Sequence, residues 1–223
     1  MRRPTRVVAD SLGVGVATGA YGVAFGALST SSGLTVLQTC ALSLLAFTGA
    51  TQFAFVGVVA SGGNPVTGAL TGVLLGSRNL FYGLSIADRL RVRGWRKAAT
   101  AHLVIDESTA MAVAQTDDES ARTGFYWTGI SIFVLWNLMT LVGALAGNAI
   151  GDPRTYGLDA AVGAAFLGLL WPRLTSWSNR GVALLGAAVA LGLVPFTAAG
   201  LPIIAGGAVA VALGLVLRRG AAA

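Results

Sequence analysis

Between Val66 and Ala87 the chain carries a single charge, Arg78, in an otherwise uncharged and mostly apolar run. A stretch of roughly 17–25 apolar residues is long enough to cross a hydrocarbon core about 30 Å thick. The pattern recurs, with apolar segments at 11–29, 36–60, 66–87, 98–115, 124–149, 159–171, 181–197 and 201–217 joined by short connections. Charged residues make up only 11% of the chain, against about 25% in soluble domains, too few to clothe a water-facing surface. The expected fold is therefore all-α: a polytopic integral membrane helical bundle forming one transmembrane domain over 1–223. It should lie in a lipid bilayer, multi-pass, with seven to eight apolar segments.

The net charge of +6 does not point to nucleic acid. The basic residues fall mostly in the gaps between apolar runs, as expected where Lys and Arg are retained on the cytoplasmic side of a membrane. Cys40 and His102 are the only cysteine and histidine, too few soft ligands for a zinc or iron–sulfur site. No G-x-S-x-G elbow or H-E-x-x-H motif is visible. Asp106 has no second well-placed catalytic motif to make an intramembrane enzyme, and no cofactor is implied.

The start of the chain, with its basic residues and apolar stretch, resembles a secretory signal in outline. Yet Ser11, Gly15, Gly19, Gly22, Gly26 and Ser29 recur at helical spacing and line one face with small residues. Such a stripe lets a second helix backbone approach closely, which a cleaved peptide does not need, so a retained first helix is expected. Arg2, Arg3 and Arg6 place its start in the cytoplasm. The segment "RLRVRGWRK" (89–97) asks for the same side, which three simple spans do not deliver. Making 66–87 a re-entrant pair of half-helices is one repair; an inverted orientation is the other.

Two segments are interrupted, the second at "TGATQ" (48–52) and the third at "GSRN" (76–79). Non-helical backbone at membrane depth survives only where it is buried in protein or lines a cavity, so 66–87, with 36–60 as a second case, is a candidate discontinuous or re-entrant segment around a central site. Thr67, Thr71, Arg78, Tyr82 and Ser85 share one helical face. A mid-membrane arginine costs about 2.5–3.5 kcal/mol on insertion scales, so something must offset it. Arg78 can bind an anionic group such as a substrate carboxylate through two parallel donors. Equally, it can lock helices together through Asp106, Glu107 or backbone carbonyls, or snorkel to an interface.

Asp106 and Glu107 sit amid apolar residues and point about 100° apart on a helix. A carboxyl group there suits a group that exchanges protons during a cycle, and a structural ion pair explains it as well. His102 lies one turn before Asp106 and reads as a satisfied helix-end histidine. Thr48, Thr51 and Gln52 surround Gly49 and can bind helices to one another or hold the ammonium or carboxylate of a small solute. Asn137 and Ser131 read as interhelical glue, and Tyr126, Trp127, Trp171 and Trp177 as interfacial aromatics. The acidic "TDDESARTG" (116–124) reads as a solvated connection.

Taken in order, "FTGATQF" (47–53), "SRNLFYGLS" (77–85) and the intramembrane "DE" (106–107) resemble the AzlC-type permeases, the large subunits of two-component branched-chain amino acid exporters. The similarity runs over most of the chain. It includes the glycine-rich first helix, the "LD" opening the sixth segment and the apolar C-terminal pair. The resemblance implies efflux of valine, leucine or isoleucine across the cytoplasmic membrane, proton-coupled, with a small AzlD-type membrane subunit as partner. The motif matches make Arg78, Asn79, Tyr82, Thr48, Thr51, Gln52, Asp106 and Glu107 the candidate substrate or coupling residues. One position departs from the pattern: the family more often carries Asn two residues before this arginine, where this chain has Gly76.

Overall fold

The computed structural model describes residues 4–150, 167, 170, 171 and 174–220. All regular structure among them is helical. The sixth apolar segment (159–171), with its "LD" opening, lies almost wholly outside the described residues, as do Arg2 and Arg3. Helices α1 (Pro4–Ala20) and α2 (Gly22–Ser31) form one rod interrupted only at Tyr21, whose backbone stays right-handed helical (φ −64°, ψ −20°). Helix α9 (Asp118–Ile150) is the other long element. Two stretches, Thr5–Ser31 and Asp118–Gly147, are each a helix long and apolar enough to cross a membrane.

The small-residue stripe joins these two rods, as its spacing predicts. Ser11, Gly15, Gly19, Gly22, Gly26 and Ser29 are all buried. A Cβ at Gly19 would lie 2.5 Å from Leu135 Cβ, and one at Gly22 would lie 2.5 Å from the Trp136 carbonyl. At Gly26 it would sit 2.6 Å from Ala144 N. The partner helix answers with its own small residues: Gly124 accepts a hydrogen bond from Ser11 Oγ (3.4 Å), and Gly147 meets Ala27 and Thr30. Contacts advance in step along both helices, so α1–α2 and α9 run parallel, backbone against backbone.

Between them the chain makes one net return. Helix α3 (Val36–Leu45) starts at the end where α2 finishes, with Thr35 and Gln38 closing a capping box. It descends along α9, where Ser43 meets Thr140. After the break at 46–49, where Gly49 takes a positive φ of 62° that suits glycine, α4 (Ala50–Ala60) turns back. Helices α5 (Pro65–Gly76) and α6 (Arg78–Leu90) follow, with Asn64 capping and Pro65 at the first helical position. Helix α5 packs antiparallel on α4, Gly68 against Phe55 and Gly72 against Thr51. Helix α6 reaches the start of α9, where the Arg89 guanidinium meets Asp118.

This geometry corrects the placing of the re-entrant segment. Ser77, the only residue separating α5 from α6, has φ −57° and ψ −25°, so the backbone never leaves the helical region and the direction cannot reverse. Segment 66–87 is a full, slightly interrupted traverse. The re-entrant pair is 36–60, entering and leaving at the end opposite Pro4. A second pair, α7 (Arg96–His102) and α8 (Asp106–Val113), replaces the simple fourth segment at 98–115. Leu103 packs on Gly129 and Met111 on Gly124, so α8 runs antiparallel to α9, back toward the end it came from.

Helix α11 (Leu201–Gly220) lies parallel to α5, through Gly200 against Thr67 and Gly207 against Leu74. Helix α10 (Trp177–Leu193) packs antiparallel on α11 through Gly186 and Gly206. The topological conflict thereby disappears: Arg6, the 89–97 segment, Arg122, Arg180 and the α11 terminus all lie at one end of the bundle. Arg78 is the only described Lys or Arg elsewhere. The acidic 116–124 stretch is more than a solvated connection, since Asp118 pairs with Arg89 (3.4 Å) and Arg91 (3.1 Å). Arg89 also donates to the carbonyls of Ala112, Gln115 and Asp117 at 2.8–3.0 Å, closing the C-terminus of α8.

Candidate functional site

Both re-entrant pairs break near the middle of the bundle, and the breaks touch. His102, the last residue of α7, donates from Nε2 to the Leu44 carbonyl at 2.9 Å; because the carbonyl only accepts, Nε2 carries the hydrogen. It is a satisfied helix-end histidine, but its partner belongs to the other re-entrant pair. Its ring packs edge-on to Phe133 and beside Phe47. Phe25, Phe47, Phe53, Val56, Ile105, Ile132 and Trp136 form the buried core around this junction. These side chains come from three helices, α2, α4 and α9, and from the two breaks at Phe47 and Ile105, which fixes both breaks against α9.

Arg78 opens α6 beside this junction, and its charge has a partner. Nη2 forms an ion pair and hydrogen bond with Asp106 Oδ2, and Tyr82 OH donates to Asp106 Oδ1 at 2.8 Å. The two side chains are 29% and 19% exposed, so the pair is largely, not wholly, withdrawn from the surface. Arg78 and Tyr82 are one turn apart on α6, and Asp106 is the first residue of α8, where a helix N-terminus favours negative charge. Glu107, half-buried beside Asp106, lies within electrostatic reach of both Asp106 and Arg78. The snorkelling alternative is set aside, because the guanidinium reaches across to α8 rather than along α6 to an end.

The polar face of the third segment divides at Ser77. Thr67 and Thr71 meet the residue before α11, Gly200. Arg78 and Tyr82 meet α8, and Ser85 is exposed. Among the other candidates, Gln52 is fully buried and its amide is committed to structure: Oε1 accepts from Gly49 N (3.1 Å) and Nε2 donates to the Leu42 carbonyl (3.2 Å). Thr51 lies against the helix interruption, where a Cβ at Gly76 would sit 3.2 Å from its Oγ1. Thr48 Oγ1, Arg78 Nε and Asn79 Oδ1 are enclosed without a hydrogen-bond partner. Such orphans are uncommon in native interiors and mark places where a ligand group or water completes the bonding.

Three features of this region were not singled out from the sequence. Ser108 braces the α8 start, Arg89 caps its end, and Trp136 lies against Gly49. The first had a readable signal, a hydroxyl three residues after the residue preceding the helix. The other two depend on tertiary placement. Of the glue and interface residues, Ser131 and Asn137 bond within α9, to Thr128 and Phe133 carbonyls. Tyr126 OH meets Thr100 Oγ1 at 3.0 Å, while Trp127, Trp171 and Trp177 are exposed.

Comparison with known proteins adds a family. Residues 13–150, spanning from α1 to the end of α9, match the family described as AzlC protein. The chain is 26% identical over 149 residues to the "Branched-chain amino acid transport protein AzlC" of Bacillus subtilis, covering 66% of this chain and 58% of that one. It is 28% identical over 161 residues to "Inner membrane protein YgaZ" of Escherichia coli, covering 69% and 64%. An "Uncharacterized membrane protein" of Archaeoglobus fulgidus is 30% identical over 169 residues, covering 75% and 74%. No solved structure matches. The junction of broken helices, its arginine–aspartate pair and the glycine contacts between the rods from Gly15 onward fall inside the matched region, and this chain belongs to the AzlC family.

Proposed function

We propose that the protein exports branched-chain amino acids across the cytoplasmic membrane by alternating access, coupled to protons and assisted by a small AzlD-type membrane subunit. The observation that carries this reading is the incomplete engagement of Arg78. Asp106 divides its two oxygens between Arg78 and Tyr82, leaving Arg78 Nε enclosed and unpartnered. A substrate carboxylate offers two parallel acceptors to a guanidinium and can take the place of Asp106. The displaced Asp106, with Glu107 beside it, then faces the substrate ammonium, and these carboxyl groups are the candidates for carrying the coupled proton. The name of the Bacillus subtilis relative supports the substrate class.

The test is transport into proteoliposomes with and without a pH gradient, with and without the small subunit, across a panel of amino acids. Valine, leucine and isoleucine should move, and saturating substrate should raise the melting temperature. At 100 times Kd the stabilisation is about 2.7 kcal/mol. Movement of a different small carboxylate or amine would reassign the substrate. Absence of both transport and ligand stabilisation, with the partner present, would leave a structural accessory protein as the surviving reading.

A further inference from the structure

The element pattern repeats with a constant step. A rod interrupted at one helical residue occurs twice, at Tyr21 and at Ser77, 56 residues apart. Each interruption is bridged alike, by Ala24 N to the Tyr21 carbonyl (3.1 Å) and by Leu80 N to the Ser77 carbonyl (3.2 Å). Each rod is followed by a broken re-entrant pair whose second half begins after Gly49 or after Ile105, again 56 residues apart. At that same step "FGALS" (25–29) aligns with "FYGLS" (81–85), keeping Phe, Leu and Ser.

The breaks are braced by equivalent residues. Three positions into α4, Gln52 accepts from the Gly49 N–H (3.1 Å) and donates back to Leu42 O in the preceding half-helix (3.2 Å). Three positions into α8, Ser108 accepts from the Ile105 N–H (3.1 Å) and donates back to Leu103 O (2.6 Å). The two rods point in opposite directions, since α1–α2 runs parallel to α9 and α5–α6 antiparallel to it. The re-entrant pairs accordingly enter from opposite ends and meet at the His102–Leu44 bond.

We propose that residues 4–60 and 65–113 are two copies of one unit inserted in opposite orientations, and that Gln52 and Ser108 are matched positioning residues of gates at opposite ends. An inverted pair around a central site is the arrangement in which opening at one end accompanies closing at the other. This proposal rests on the transport reading. Gln52 and Ser108 touch no substrate in it; each sets how readily its own half-helix departs from the closed position.

The experiment is deuterium exchange of the full chain in lipid nanodiscs, read on peptides covering 36–60 and 98–115, for Gln52→Ala and Ser108→Ala. Loss of one brace removes two hydrogen bonds and should shift the opening equilibrium of its pair by at least roughly five-fold, the weight of one ordinary hydrogen bond. Gln52→Ala should raise uptake in 36–60 and lower it in 98–115, and Ser108→Ala should do the reverse. Ser108→Thr, which keeps the hydroxyl, should behave as the parent. Where an alanine variant fails to fold, Gln52→Met, which removes the same two bonds but keeps the side-chain volume, gives the same readout. Changes confined to the altered pair, or loosening of both pairs together, overturn the proposal. Valine efflux measured alongside separates the two failures. Inactive parent protein refutes transport while reciprocal exchange still supports the repeat, and active parent protein with non-reciprocal exchange refutes the repeat alone.

Discussion

Replacing Arg78 by Met leaves Asp106 facing Tyr82 without its cation. Breaking a buried ion pair from one side costs about 3–5 kcal/mol, because the remaining charge is uncompensated. With side chains 29% and 19% exposed, the lower end applies, about 3 kcal/mol. For a chain of this size each kcal/mol shifts the melting temperature by roughly 2–4 °C, so a fall of about 6–12 °C is expected. Asp106→Asn should also destabilise, by stranding the guanidinium. The double variant restores neutrality and keeps an acceptor for the Tyr82 hydroxyl, so about 1–3 kcal/mol should return as coupling energy. Melting in detergent and valine efflux, measured on all four proteins, separate the two roles of Arg78. If the pair forms the substrate site, the double variant regains stability and still fails to transport, having lost both the carboxylate receptor and the ammonium partner. Recovery of transport together with stability would refute the receptor role and leave Arg78 as a helix lock.

Two further outcomes follow from other parts of the molecule. Gly26→Ala should destabilise by about 1–3 kcal/mol or more through overpacking, because its Cβ would press on the α9 backbone at Ala144 N, whereas Gly13→Ala, with nothing within 4 Å, should be tolerated; thermal melting of both variants checks the contrast. The Asp117 carboxyl is held below its ordinary range chiefly by the Ser120 backbone N–H, with the Ser120 side chain adding to it. A depressed carboxyl contributes stability above its unfolded pKa of about 3.9 and loses it as pH falls through the lowered folded value, so melting followed below pH ~4 should show a larger acid-side loss in the parent than in Asp117→Asn.

Much of this arrangement was legible in the residues, and the rest failed for identifiable reasons. The glycine stripe announced a close helix contact because small residues at helical spacing have few other uses in apolar surroundings. Two interrupted segments were readable at "TGATQ" and "GSRN", both as candidate re-entrant breaks, and only the first of them reverses the chain. A glycine with positive φ turns the chain at 49, whereas Ser77 accepts helical backbone and lets the rod continue. Polarity at 76–79 reflected the need for Arg78 there, not a reversal. Arg78 and Asp106 were both visible as buried charges, yet their pairing needed α6 and α8 to lie side by side. Gln52 looked like a ligand group because its bracing of Leu42 depends on where α3 ends. Arg89 read as a topological charge, and its capping of α8 could not appear without the fold.

The parallel packing of α1–α2 on α9 also has a consequence in time. Ser11 and its partner Gly124 are 113 residues apart. At synthesis rates of about 5–20 residues per second, the first rod is made roughly 6–23 seconds before the helix that covers its glycines. Through that interval a smooth, sticky face is available to any neighbouring helix in the bilayer, including the first rod of another nascent chain. Substitutions that slow the delivery of α9 should therefore lower the yield of assembled protein even when they leave the finished molecule as stable as before.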